Sequence, residues 1–404
     1  MQASTFDVGG VWLPQPFKIR RLGHFGINVQ NPERSLDFYQ RLLGLRVSDP
    51  IDFGARLPPE QRDQLGPTRG YFLRHGTDHH SFVLFPRRVM EVVSPHFREH
   101  PQSTVNQITW QVGSLQEVVR GFEWFAASGR KVLRAGRDVP GSNWHFYPPD
   151  PNGHINELYY GIEQIGWSGH AKPREAHKLR HETTPALPQR SEYAEVSEAL
   201  QAGLRPDAGL RGMETAPEVH DVEGVLLARP FKVARVGPVR LFVDDVAQAQ
   251  AFYRDALGLR VTEEVVHEGH RCAFLRANTE HHSVALYPLA LRESLQLSAS
   301  TTLMSFGFQL GSYAQLRQAL TFLKAEGVTI RTLPAALFPG IDYQFFAIDP
   351  DGNAIQLYYR MDQIGWDGRP RPTQAIEQDP AAWPAIAAAT SDVYEGEAYL
   401  GPLN

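Results

Sequence analysis

Cysteine is almost missing from these 404 residues: Cys272 is the only one, so no disulfide can form within the chain and no cysteine-based zinc site exists. Long apolar runs are missing too, since none reaches the roughly 18 residues that a membrane span requires. The first residues, MQASTFDVGGVWLPQPF, lack a basic stretch followed by an apolar one. These absences point to a reducing, cytoplasmic setting without a membrane partner. An excess of positive charge is also absent: 40 Lys and Arg stand against 45 Asp and Glu, interspersed, for a net charge of −5. Nothing of this kind holds a phosphate backbone, so nucleic acid is excluded as an expected partner. What the sequence has is 42% hydrophobic residues, enough to bury the cores of two or three domains.

It also has an internal repeat. GVWLPQPFKIRRLGHFGINV from Gly10 returns as GVLLARPFKVARVGPVRLFV from Gly224, and SLDFYQRLLGLRV from Ser35 returns as AQAFYRDALGLRV from Ala249. TDHHSFVLFP from Thr77 returns as TEHHSVALYP from Thr279, and DPNGHINELYY from Asp150 as DPDGNAIQLYY from Asp349. The spacing between equivalents falls from 214 (His24 to Pro238) through 202 (His80 to His282) to 199 (Glu157 to Gln356), which places net deletions in loops of the second copy. A repeat of this length implies two like modules. We read residues 10–167 as the first, 168–223 as a linker with a short helix, 224–368 as the second, and 369–404 as a tail.

Each copy reads as two β-α-β-β-β units. Alternation from His24 to Val29 puts Phe25, Ile27 and Val29 on one strand face and His24, Gly26 and Asn28 on the other. Leu36, Tyr39 and Leu43 follow at helical spacing, with Gly44 as the stop. In the HHS segment, strand parity groups His80 with Phe82 and Leu84, opposite His79. Tyr193, Val196 and Leu200 of the linker share a helical face and are expected to pack on a module. The repeated GW pairs at Trp167 and Trp366, and the DPNG and DPDG turns, are read as structural because both copies keep them.

A strand histidine, a helix ending FY..LLGL, an HHS strand and DPNGxxxELYY together resemble the vicinal oxygen chelate superfamily, and within it the two-module extradiol ring-cleaving dioxygenases. The likeness covers residues 10–167 and 224–366. It implies an α+β fold of two tandem modules, each of two βαβββ units forming a cupped mixed β-sheet with flanking helices. It also implies one divalent metal per chain, Fe(II) first and Mn(II) or another ion next, with O2 as co-substrate. Carried over by position, the metal ligands are His24, Gln107 and Glu157; the family usually has His where Gln107 stands, although glyoxalase-like relatives use Gln. His80 falls on the acid/base position and Tyr147 on a conserved tyrosine, with His145 sharing its parity. A family histidine is replaced by Asp138.

The second copy loses this set together: Pro238, Ser305, Gln356 and Phe346 replace His24, Gln107, Glu157 and Tyr147, while Arg240 replaces Gly26 and only His282 persists. A strand histidine alone is more often a satisfied structural residue, but a purely structural role would apply to both copies. The working site is therefore expected in the N-terminal module. The leading expectation is an extradiol-type dioxygenase for a small aromatic vicinal diol or hydroquinone, acting as a homo-oligomer. A Lewis-acid isomerase, epimerase or lyase of the glyoxalase kind is the alternative, and a metal-free ligand-sequestering protein of the bleomycin-resistance kind the third.

Overall fold

The computed structural model describes residues 5–176, 180–371 and 379–385. A small hairpin, β1 (Phe6–Val8) and β2 (Val11–Leu13), leads into the long strand β3 (Ile19–Val29). There follow β4 (Arg46–Asp52), β5 (Arg69–Arg74), β6 (Phe82–Pro86), β7 (Val105–Val112), β8 (Ala135–Arg137), β9 (Trp144–Phe146) and β10 (Asn156–Tyr160). They form one eight-stranded sheet in the order β4-β5-β6-β3-β7-β10-β9-β8. The pairs β3–β6 and β7–β10 are parallel and β3–β7 is antiparallel, so the sheet is mixed and its two halves mirror each other's connectivity.

The second half of the chain repeats this. A hairpin of β11 (His220–Val222) and β12 (Val225–Leu227) precedes β13 (Val233–Val243), β14 (Arg260–His267), β15 (His270–Arg276) and β16 (Val284–Pro288). Then come β17 (Leu303–Leu310), β18 (Ile330–Arg331), β19 (Gln344–Ile348) and β20 (Ala354–Tyr358), in the order β14-β15-β16-β13-β17-β20-β19-β18. The two sheets are the cupped mixed sheets that the repeat implies.

One apolar core joins the modules. Phe25, Ile27 and Val29 are completely buried in it together with Val239, Leu241 and Phe306 from the second module, and the rings of Phe25 and Phe306 stack at 4.2 Å. A reciprocal pair of hydrogen bonds crosses the same seam. Tyr39 donates to Asp349 at 2.8 Å, and its equivalent Tyr253 donates to Asp150 at 3.2 Å. Each tyrosine sits in a wide π-turn, Asp37–Leu42 or Phe252–Ala256, that follows a short α-helix. Each aspartate also caps its own turn, Asp150 through the amides of Asn152 and His154 and Asp349 through those of Asp351 and Asn353. The repeated FY and DP[ND]G motifs are thus the two ends of one inter-module lock.

Several local expectations are corrected. Phe82 and Leu84 face the joint core while Phe85 turns toward the opposite, concave side, yet His80 also lies on that concave side. Alternation fails because regular pairing begins only at Phe82; residues 79–81 follow a bridge from Asp78 to Gln164 and are not extended strand. The linker helix forms at Glu192–Gln201 with Ser191 as its cap, but Tyr193 is 83% exposed and the buried position is Ala199. Trp167 and Trp366 are 87% and 101% exposed, so neither indole packs into its own module. Of the tail, Trp383 is buried against Tyr313 and Tyr343, and the carbonyl of Pro384 accepts from Tyr313; residues 372–378 and 386–404 lie outside the described residues.

Removing one hydroxyl of the lock isolates its contribution. Tyr39→Phe leaves the buried Asp349 carboxylate short of a donor and should lower unfolding free energy by about 1–3 kcal/mol. Tyr253→Phe should behave alike, by urea titration of both variants. No loss in either would mean that the apolar seam alone joins the modules.

Candidate metal centre

Glu157, on β10, is fully buried with its carboxylate on the concave side of the first sheet. A buried carboxylate must be paired or hydrogen-bonded, and its partners come from neighbouring strands. His24 Nε2 lies 3.2 Å from Oε2, Asn143 Nδ2 donates to Oε1 at 2.7 Å, and His145 Nδ1 is 3.5 Å from Oε1. Burial alone would raise its pKa, but His24, His145 and Arg134 hold it below the usual carboxylate range, so Glu157 is ionised.

A bulge delivers His24 to this carboxylate. Between the pairs Leu22–Trp110 and Phe25–Ile108, β3 spends two residues, Gly23 and His24, where β7 spends only Thr109. The Thr109 hydroxyl ties the bulge down, accepting from the His24 amide and donating to its carbonyl, both at 2.6 Å. The His24 ring packs against those of His80 and Tyr159, and its Nδ1 is buried with no hydrogen-bond partner. A second bulge, at Asn106 on β7, leaves Asn106 and Gln107 both lining the cavity opposite Gly26.

The cavity in front of these groups holds about 560 Å3. Phe53, Phe72, Phe85 and Met90 form an apolar wall, and Arg134, Asp138 and Arg180 stand on another side. His80 lines it, with its ring centroid 4.3 Å from that of His24. His79 points away: its Nε2 is 2.9 Å from Asp49 Oδ2, and its Nδ1 is 3.0 Å from His80 Nδ1. With Asp49 accepting from His79 Nε2–H, His79 Nδ1 accepts from His80 Nδ1–H, which leaves the His80 Nε2 lone pair for the cavity. Burial, with His24 and His79 adding to it, holds the His80 imidazole well below its usual pKa. Tyr147 also lines the cavity, under the Arg134 guanidinium at 4.3 Å; burial, and then Glu157, pushes its phenol well up, so it stays protonated. His145 is not among the lining side chains and sits behind Asn143 and Glu157.

Among the described residues, no group of three or more His, Cys, Asp or Glu side chains could by itself hold a metal ion. His24 and Glu157 would supply two donors to an ion, and a third would have to be of another type, as the Gln107 amide is. The two fit a cation all the same. Donors about 2.0–2.2 Å from one ion and at right angles lie about 3 Å apart, and His24 Nε2 and Glu157 Oε2 are 3.2 Å apart.

The second module shows what fills this position where His24 and Glu157 have no counterparts. Its bulge persists, with Gly237 and Pro238 against Gly307. Arg240, the equivalent of Gly26, is fully buried and places its guanidinium among the counterparts of the first site's residues. It donates to Gln356 Oε1 at 2.7 Å, to His282 Nε2 at 2.9 Å and to Ser305 Oγ at 3.4 Å, and it lies over the Phe338 ring at 4.9 Å. Leu333, Leu337 and Phe346, at the positions of Arg134, Asp138 and Tyr147, pack with Phe274 and Tyr287 to fill the former cleft. Room for the arginine comes from Ala285 on the adjacent strand, where the first module has Val83. The roles of Arg240 and Asn143 were not assigned from the sequence, although the change from Gly26 to Arg240 was its visible trace.

This substitution can be transplanted. A Cβ on Gly26 would meet Val83 Cγ2 at 2.9 Å, so Gly26→Arg needs Val83→Ala beside it. The double variant should fold, pair its guanidinium with Glu157 and lose metal binding, as read by metal analysis and circular dichroism. Retained metal in a folded double variant would show that the guanidinium position is not the cation position.

Comparison with known proteins agrees with this architecture. The model of the Glyoxalase/Bleomycin resistance protein/Dioxygenase superfamily matches residues 21–158 and 235–357. Metapyrocatechase 2 of Cupriavidus necator is 32% identical over 147 residues, which is 36% of this chain and 38% of that protein. Biphenyl-2,3-diol 1,2-dioxygenase of Paraburkholderia xenovorans is 26% identical over 170 residues, 40% of this chain and 46% of that protein. Both alignments span less than half of the relative. Homoprotocatechuate 2,3-dioxygenase from Arthrobacter globiformis superposes with a TM-score of 0.53 at 18% identity, over 87% of this chain and 83% of that one. The Mn(II)-bound glyoxalase from Novosphingobium aromaticivorans does so at 0.53 and 15%, over 87% and 85%. At such identities the superpositions speak for the fold, and the family match covers more than half of the chain. The protein belongs to the glyoxalase/bleomycin resistance protein/dioxygenase superfamily.

Proposed function

We propose that this chain is a divalent-metal-dependent dioxygenase of the extradiol type, acting on an aromatic vicinal diol or hydroquinone in the N-terminal module. The observation that carries the reading is the buried pair His24 and Glu157, which opens on a cavity large enough for a substituted ring and has no counterpart in the second copy. The resemblance of the chain to metapyrocatechase 2 and biphenyl-2,3-diol 1,2-dioxygenase supplies the class of reaction. His24, Gln107 and Glu157 would hold the ion, Fe(II) first or Mn(II). When bound, the metal brings the diol and O2 together and lets electrons pass between them.

The remaining chemistry belongs to the side chains. His80, neutral and with Nε2 free, is placed to accept a hydroxyl proton from the substrate and to return it later. The Tyr147 phenol, kept protonated, donates a hydrogen bond to developing negative charge. The apolar wall of Phe53, Phe72 and Phe85 orients the ring and excludes water.

Gln107 favours a second reading. A neutral amide is a weaker donor to iron than imidazole, and it suits a Lewis acid such as Mn(II) or Zn(II) in an isomerase, epimerase or lyase. Oxygen uptake separates the two: metal-loaded protein should consume O2 with at least one member of a catechol and hydroquinone panel and yield a ring-opened product. Substrate turnover without O2 consumption would establish the second reading instead.

Two substitutions refine the first reading. His80→Asn should lower turnover at saturating substrate by about 10²–10⁴-fold with metal content unchanged, and an undiminished rate would remove His80 from the chemistry. Gln107→His should tighten Fe(II) binding, whereas Gln107→Ala should weaken it. An affinity unaltered by Gln107→Ala would mean that the third donor lies elsewhere.

A further inference from the structure

The linker between the modules is built into one wall of the N-terminal site. Arg137, on edge strand β8, is 3% exposed and donates through Nη1 to both carboxylate oxygens of Glu195 in the linker helix, at 2.9 and 3.0 Å. The same guanidinium donates from Nε to the Ser142 carbonyl at 3.2 Å. Residues 138–143 form the loop between β8 and β9, of which Asp138, Val139, Pro140 and Asn143 line the cavity. Asn143, next to Ser142, is the residue that donates to Glu157 Oε1.

The linker grips this loop at two further places. His181 pairs with Arg137 backbone to backbone at 2.9 and 3.0 Å, and its ring lies 4.7 Å from Trp144. Lys172 donates to Ser142 Oγ at 3.0 Å and pairs with Glu192 at the start of the linker helix. Within the loop, Gly141 and Ser142 both have left-handed backbones, φ 91° and 56°. A Cβ on Gly141 would lie 3.0 Å from the His80 ring. A serine in that conformation is held by its surroundings rather than by its own preference.

The second module lacks the brace. Ala336 stands at the position of Arg137, and the loop's equivalent is held differently: Leu337 and Phe338 pack on apolar neighbours, and Arg371, at the position of Lys172, donates to Asp342 at 2.9 and 3.0 Å. The Arg137–Glu195 pair is therefore present where the loop presents Asn143 to a carboxylate, and has no counterpart where Gln356 stands in place of that carboxylate.

We propose that the Arg137–Glu195 pair is a positioning device: the linker helix fixes the loop through Ser142, and so sets the Asn143 amide that orients Glu157 toward the metal. This rests on the reading of Glu157 as a metal ligand. Arg137 and Glu195 touch neither metal nor substrate, and their effect passes through Asn143.

The test is Mn(II) affinity by chelator competition, alongside thermal unfolding, on the full chain and on Glu195→Gln, Glu195→Ala, Arg137→Ala and the double alanine variant. Supporting groups behind metal ligands are commonly worth about 10–100-fold in affinity. Glu195→Ala and Arg137→Ala should each weaken Mn(II) binding by about 10-fold, the double variant by no more than either, and Glu195→Gln by less. A lowered melting temperature with unaltered Mn(II) affinity in the single variants would reduce the pair to a structural contact and overturn the proposal. Glu195→Gln keeps the volume and one acceptor, so it reports even where an alanine variant fails to fold. A wild-type chain that binds no Mn(II) and no Fe(II) would overturn the metal reading of Glu157, and the positioning role with it.

Discussion

A carboxylate buried without any exposure, Glu157, is the constraint on which the N-terminal module is organised. Moving such a charge out of water costs several kcal/mol unless partners replace its hydration. The sheet supplies them from separate strands and loops: His24 from a bulge in β3, Asn143 from the loop before β9, and His145 from β9 itself. Three neighbouring features then follow from that need. Thr109 fixes the bulge, the loop of residues 138–143 is clamped from outside, and the cavity opens in front of the pair.

The second module meets the same geometry by the opposite route. Its carboxylate has become Gln356, and the cation is supplied covalently by Arg240. A guanidinium hydrogen-bonded to an amide, a hydroxyl and an imidazole occupies with its own charge the place a cation would take. Apolar side chains then close what remains, through Phe338, Phe346 and Leu337. The seam between modules stayed symmetric, because Tyr39 with Asp349 and Tyr253 with Asp150 serve assembly rather than chemistry. The seam and the site thus occupy different faces of the same strand: Phe25 looks into the joint core, and His24 beside it looks into the cavity.

The duplication, the mixed sheets and the core face of β3 were legible because they depend on repetition and on period-2 alternation, which any strand of this length displays. His24, Gln107, His80, Tyr147 and Glu157 were visible as candidates for a second reason: changes at four of the five in an otherwise similar copy mark them against a constant background. Parity misled at His80, since alternation was extended through residues that are not strand, and its ring lies on the concave side beside Phe72 and His24. It misled at Tyr193 as well, where the helix has weak amphipathy and the ion pair of Glu195 with Arg137 decides which face turns inward. Asn143 could not be singled out, because its significance arises from a loop folding back on β10 and leaves no periodic trace. Arg240 could be seen to break the floor of the second site, but its occupation of that site depends on the small Ala285 across the ladder and on Gln356 and His282 accepting its hydrogen bonds, which no local pattern announces.

The account stands on the location of the metal. A crystal of the protein grown anaerobically with Fe(II) or Mn(II), measured at the metal's absorption edge, would give an anomalous difference map with one strong peak per chain. The predicted peak lies between His24 Nε2 and Glu157 Oε2, with Gln107 beside it and none near Arg240. A peak between His282 and Gln356, or the absence of any peak beside Glu157 at saturating metal, would contradict it.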